Sequence, residues 1–170
     1  MDRLINRSRQ GDLGEASAIE WLTSIGATVL IPFGHSPHFD LVAEIEDSRL
    51  VRVQVKTSVC RRVTPDGHGR WAVTLVTNGG NRSWSGVAKK LDPRRFDYLF
   101  VLVGDGRRWL IPSPAIKAST GIILGGPKFS EFEVEPGTPV AKLVYGPERH
   151  ASRIERPSGG APTWESRAGL

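Results

Sequence analysis

Every second position of "VRVQVKT", residues 51–57, is valine until the last, and Arg52, Gln54 and Lys56 stand between them. Alternation of period two predicts a strand with an apolar face and a polar one. The preceding "FDLVAEI" alternates as well, with Leu41, Ala43 and Ile45 pointing one way and Asp40, Val42 and Glu44 the other. With "EDS" as the turn, the two segments predict a β-hairpin whose second strand runs Leu50 to Thr57. Upstream, "GDLGEASAIEWLTSIGA" has helical spacing: Leu13, Ala16, Ile19 and Leu22 recur three apart, Ala18 thickens the stripe, and Gly26 supplies a stop. "ATVLIPF" predicts a short strand ended by Pro32 and the loop "GHSPH". "RWAVTLVT" predicts another, followed by the loop "NGGNRSWSG". "DYLFVLV" is almost continuously apolar, as in a strand covered on both faces. "WLIP" is its partner across "GDGRR", "SPAIKAST" predicts a short helix with Pro114 in its first turn, and "EFEVE" predicts a last strand.

These elements make one α/β domain with a mixed β-sheet over residues 1–148. From Arg149 the chain is polar, rich in Gly, Pro and Arg, and without period, so residues 149–170 are expected to form a flexible tail. The chain has 170 residues, 39% hydrophobic and 24% charged, ordinary values for a soluble protein. Its 23 Lys+Arg exceed 18 Asp+Glu, which suits a polyanionic partner. A single cysteine, Cys60, excludes an internal disulfide and a cysteine-clustered zinc site, and is read as a small filler. With no apolar leader and no stretch long enough to span a bilayer, the expected place is the cytoplasm, away from membranes.

Three segments converge on one chemistry. Gln54 and Lys56 share a strand face, about 7 Å apart at ~3.3 Å per residue. The hairpin brings Asp40 to that face, and Glu15, three residues before Ala18, borders the helix stripe that packs on the sheet. Two carboxylates, an amide oxygen and an ammonium suit a hard divalent cation such as Mg²⁺, with Lys56 placed to orient or deprotonate water or to steady charge building on phosphorus. A polar outer hairpin face beside a helical glutamate gives the same pattern with no chemistry, and the pattern alone leaves both readings open.

The order "GE" at 14–15, "FD" at 39–40 and "QVK" at 54–56 resembles the PD-(D/E)xK nuclease superfamily. The resemblance runs over about residues 8–118. It is strongest to the group I intron homing endonuclease branch, which carries Gln where most relatives carry an acid, and extends to archaeal Holliday junction resolvases. It implies a restriction-endonuclease-like αβββαβ core and a metal-dependent DNA endonuclease of homing or restriction type. The catalytic residues would be Glu15, Asp40, Gln54 and Lys56, with Mg²⁺, or Mn²⁺ in its place, held by Asp40, Gln54 and Glu15. A Holliday junction resolvase and an inactive DNA-binding module on the same fold are the alternatives, since Gln54 brings no charge to the metal.

Basic residues cluster at 61–62, 89–90, 94–95 and 107–108. Arg52, Arg82, Lys89, Lys90, Arg94 and Arg95 are the candidates for contact with the phosphates of double-stranded or branched DNA. Cutting both strands with one site per chain requires a homodimer or homotetramer. His35 and His38 are read as loop residues, and Trp71, Phe96 and Trp109 as core.

Overall fold

The computed structural model describes residues 7–33, 38–45, 48–65, 67–78 and 88–137. It opens with helix α1 (Arg7–Ser24), which buries Gly14, Ala18, Trp21 and Leu22, the i, i+4, i+7, i+8 face. Ala16, expected in the stripe, is exposed, and Leu13 and Ile19 are only partly buried, since the buried face runs through Gly14 and Ala18. The expected stop holds. Gly26 has φ +89°, its N–H bonds to the Thr23 carbonyl, and the Ala27 N–H reaches back to that of Leu22. That pair of bonds is a Schellman motif, and buried Ala27 packs with Leu22.

Strands β1 (Thr28–Leu30), β2 (Leu41–Ile45) and β3 (Arg49–Ser58) form an antiparallel meander. The chain then leaves this sheet for β4 (Arg61–Val63), β5 (Gly69–Thr74), β6 (Thr77–Asn78) and β7 (Ala88–Lys89). It returns as β8 (Tyr98–Val103), parallel to β3, then β9 (Arg108–Pro112) antiparallel to β8. After β10 (Gly121–Leu124), β11 (Glu133–Val134) closes a six-stranded sheet of order β1-β2-β3-β8-β9-β11. Strands β10, β5 and β4 make a second, three-stranded sheet.

The order α1, β1, β2, β3 matches the first four elements of the expected core. Among the described residues α1 is the only α-helix, and the described part of the return from β3 to β8 consists of β4 to β7 and a 3₁₀ turn at Pro93–Arg95. "SPAIKAST" forms a 3₁₀ turn, Ser113–Ala115, where a helix was expected. "RWAVTLVT" is divided between β5 and β6, and β10 was not anticipated.

β8 lies at the centre as its composition predicts. Phe100 and Leu102 pack toward α1 with Val51, Val53, Leu41 and Trp21. Leu99, Val101 and Val103 pack the other way, with Trp71, Val73, Phe96, Trp109 and Leu124. The large sheet is therefore covered by α1 on one face and by the small sheet on the other. Cys60 is exposed and fills no space. Among the described residues no helix is long and apolar enough to cross a membrane, and the expected tail lies outside them.

Candidate active site

β2 begins at Leu41, opposite Val53, whereas β3 continues to Ser58. Past Val53, β3 would leave backbone N–H groups unpaired on that side. Asp40 fills the gap. Its own N–H bonds to the Val53 carbonyl at 2.9 Å, and its Oδ2 accepts the Val55 N–H at 2.6 Å. The same oxygen accepts from Gln54 Nε2, which also donates to the Val55 carbonyl at 3.2 Å. A carboxylate at a strand start is thus held by the backbone and the Gln54 amide of the neighbouring strand.

Register decides which face carries the site. Gln54 lies beside Leu99 and Lys56 beside Val101 in the parallel pairing, so both point toward the layer of the small sheet. Glu15 comes from the opposite layer. Gly14 lets it approach: a β-carbon there would stand 2.0 Å from Thr57 Oγ1 and 3.1 Å from Val55 Cγ1. The helix can lie this close to β3 only without a side chain, and Gln10 Nε2 adds a bond to the Thr57 carbonyl at 2.8 Å. Glu15 follows directly, and its charge is coupled to that of Asp40.

The electrostatics are those of a site out of balance. Burial pushes Asp40 above the usual aspartate range, against the opposing effects of the Val55 N–H, the Lys56 charge and the Gln54 amide. Burial likewise pulls Lys56 below the usual lysine range, opposed by Asp40. Partial burial, then the charges of Asp40 and Asp12, push Glu15 up. Each of the three is drawn toward its neutral form, the condition expected where titratable groups are gathered for chemistry.

The donor set fits a divalent cation. Two carboxylates repel one another across the gap in the sheet, and the Gln54 amide and Val55 carbonyl stand beside one of them; a cation would relieve that repulsion. Among the described residues no group of three or more His, Cys, Asp and Glu side chains assembles, so oxygen donors beyond the two acids must come from amide or backbone. Gln54 presents its NH₂ to Asp40 and Val55, and its oxygen reaches an ion only when the amide plane turns over. The Val55 N–H and carbonyl were missed by sequence reasoning, since no side chain announces them.

A family model for the PD-(D/E)XK endonucleases matches residues 5–115. The chain belongs to the PD-(D/E)XK endonuclease family. The solved structure of a bacterial homing endonuclease, I-Ssp6803I, superposes with a TM-score of 0.56 at 24% identity, covering 74% of this chain and 86% of that one. At that identity the likeness establishes the fold, which is restriction-endonuclease-like. No curated protein sequence matches. PD-(D/E)XK nucleases as a family generally use divalent metals.

The basic candidates of this endonuclease divide sharply. Arg52 is held by Asp97, whose carboxylate takes its backbone N–H at 2.7 Å and its Nε and Nη2 at 3.1 and 3.0 Å. Arg94 and Arg95 both pair with Asp92. Lys90 is exposed, whereas Arg82 and the Lys89 side chain lie outside what is described. Arg108, one of the basic cluster at 107–108, is buried at 3% exposure, bonded to Glu20 and to the Glu135 carbonyl. His38 is exposed two residues before Asp40.

Proposed function

We propose that this endonuclease hydrolyses DNA phosphodiester bonds with a divalent cation, Mg²⁺ or Mn²⁺, held by Asp40 and Glu15 with the oxygen of Gln54. The observation that carries the proposal is Lys56, an ammonium partly stripped of water beside a carboxylate that burial drives toward protonation. Burial outweighs the attraction between the two, so Lys56 gives up a proton more readily than an exposed lysine. The cation supplies charge to activate water and to neutralise the phosphate. Lys56 does what the chain itself can do: orient the attacking water, accept or return a proton at Nζ, and offset charge on the non-bridging oxygens. Asp40, locked to β3, keeps the donors in place. Homing and restriction types share this site, and a second copy supplies the site for the other strand.

The test is incubation of the purified protein with supercoiled plasmid and a synthetic four-way junction, in Mg²⁺ or Mn²⁺, beside Lys56→Ala and an EDTA control. Metal-dependent cutting that Lys56→Ala abolishes is expected. Preference for the junction would make the enzyme a resolvase. Binding of both DNAs without cutting, with no metal retained at Asp40, would overturn the enzymatic reading in favour of a DNA-binding module, the reading that Gln54's donation to Asp40 favours.

A further inference from the structure

Five arginines of this chain are matched to acids: Arg52 to Asp97, Arg107 to Glu133 and Arg108 to Glu20 across the fold, and Arg94 and Arg95 to the neighbouring Asp92. The pair at 61–62 is built differently. All three residues of β4 are exposed, and β4 is the edge of its sheet. Arg62 stands across the ladder from Arg70, whose guanidinium runs to Gly126, within 3.0 Å of where a β-carbon there would stand. Arg61 lies over the Trp71 ring at 5.2 Å, its guanidinium running past Gly69, where a β-carbon would meet Nη2 at 2.8 Å. An aromatic face orients this cation without neutralising it. Neither Arg61 nor Arg62 has a carboxylate partner among the described residues. In sequence, residues 61–74 carry three arginines and one acid, Asp66, which lies outside the description.

The position of the hairpin gives this charge a purpose. β4 follows β3 after two residues, and the junction is fastened. Ser58 Oγ donates to the Ala72 carbonyl at 2.6 Å, the Cys60 N–H donates to Ser58 Oγ, and the Ala72 N–H bonds to the Cys60 carbonyl at 2.9 Å. Arg61 is five residues beyond Lys56, at most about 17 Å along the chain. Successive phosphates of one strand rise ~3.4 Å each, so that reach is about five nucleotides.

We propose that the β4–β5 hairpin is a DNA-binding arm on which Arg61 and Arg62 take duplex phosphates within a few nucleotides of the scissile bond. The inference rests on the endonuclease reading and names the surface that holds its substrate in register. The phosphates supply the anions that the described residues do not offer Arg61 and Arg62. Because the contact is to backbone, it positions the duplex without reading its sequence.

The experiment measures binding of the full chain to a fluorescein-labelled duplex of mixed sequence in EDTA, at salt from about 50 to 200 mM. The proteins are wild type, Arg61→Ala/Arg62→Ala and Arg61→Lys/Arg62→Lys, each checked by thermal melting. Loss of two phosphate contacts lowers the slope of log affinity against log salt by about 2, and affinity by tens of fold on that scale. The lysine variant keeps the charge and the slope. An alanine variant that is folded, yet binds with the wild-type slope, overturns the arm, and plasmid cleavage by wild type in a parallel incubation with Mg²⁺ leaves the endonuclease reading standing. Wild type that binds no duplex at the lowest salt overturns both.

Discussion

Asp40 and Asp97 do the same mechanical job on β3. Asp40 takes the N–H of Val55 from the β2 side and Asp97 that of Arg52 from the β8 side, and each faces a cation from the same strand face, Lys56 or Arg52. Their electrostatics are opposite. Asp97 is held below the usual range by hydrogen bonds from Arg52, whose own charge is reinforced in return. Asp40 is pushed up and Lys56 pulled down, because burial outweighs their mutual attraction. The Arg52–Asp97 pair keeps side-chain exposures of 41% and 38% and so keeps water. Two carboxylates in one role, taking N–H groups three residues apart along β3, thus separate into a fastening and a site. Desolvation makes the difference, and that is where the comparison is open to attack.

The largest expected effect is on catalysis. Lys56→Met keeps the aliphatic stem and removes the charge; cleavage is expected to fall by about 10²–10⁴-fold, the usual worth of a positioned proton-transfer group. The melting temperature should hold or rise, since a desolvated ammonium is removed. Arg52→Met should leave the single-turnover rate with saturating enzyme within a small factor of wild type. Comparable losses in the two variants would erase the distinction between site and fastening.

Gly14 tests whether the site depends on the depth of helix packing. Gly14→Ala drives a methyl group toward Thr57 Oγ1 and Val55 Cγ1. Overpacking costs about 1–3 kcal/mol, against a helix-propensity gain of up to about 1 kcal/mol. A net loss in denaturant unfolding is expected, with reduced cleavage as Glu15 is lifted from Asp40. Gly11→Ala is the control. Nothing lies within 4 Å of its β-carbon position, so only the propensity gain remains. Equal stability changes at the two glycines would mean that α1 does not sit on β3 as described.

What the sequence discloses here follows the range of the interactions. The alternation at 51–57, the apolar run 98–103 and the stop at Gly26 are local, and each predicted its element. Asp40, Gln54 and Lys56 reach one face because a strand's period is two and a hairpin fixes register. Glu15 was legible only through its place beside the stripe; the close approach that couples it to Asp40 depends on Gly14 meeting Thr57, 43 positions later. The pairings of the arginines were hidden for the same reason. Arg108 meets Glu20 at a sequence separation of 88, so "RR" at 107–108 looked like "RR" at 61–62 although one member is core and the other pair is surface. The second sheet escaped because "GIIL" gives four residues of weak period, and its partner strand is named only by the fold.

Acidity separates the two aspartates next. Asp40's folded pKa is raised, so the native protein binds more protons than the unfolded chain between the ordinary aspartate value of about 3.9 and that raised value. Its contribution to stability therefore falls as pH rises through that window. Asp97's folded pKa is depressed. Its contribution is present above the ordinary value and is lost as pH falls through the depressed one. Metal-free melting temperatures should show Asp40→Asn gaining on wild type from about pH 4 upward, while Asp97→Asn stays below wild type at neutrality and converges with it only in stronger acid. Added divalent cation should raise wild type and not Asp40→Asn. Parallel pH curves for the two variants would contradict the opposite shifts.

The smallest effects lie inside the exposed pair, and they are asymmetric. Removing the Arg52 side chain leaves Asp97 still accepting the Arg52 N–H, so the joint between β3 and β8 survives. Removing the Asp97 carboxylate takes the acceptor from that N–H and both guanidinium bonds at once. Asp97→Ala should therefore lower the melting temperature clearly more than Arg52→Met. The double variant should match Asp97→Ala, because nothing is left for the arginine to hold. Salt gives the second measurement: an exposed pair is screened over a Debye length of about 10 Å at 0.1 M, so the modest gap between wild type and Arg52→Met should narrow as salt is added. The part of the Asp97→Ala loss that comes from the backbone N–H should persist. A gap that closes completely for both variants would make Asp97 a surface charge and nothing more, and β3 would then owe its attachment to β8 to the ladder alone.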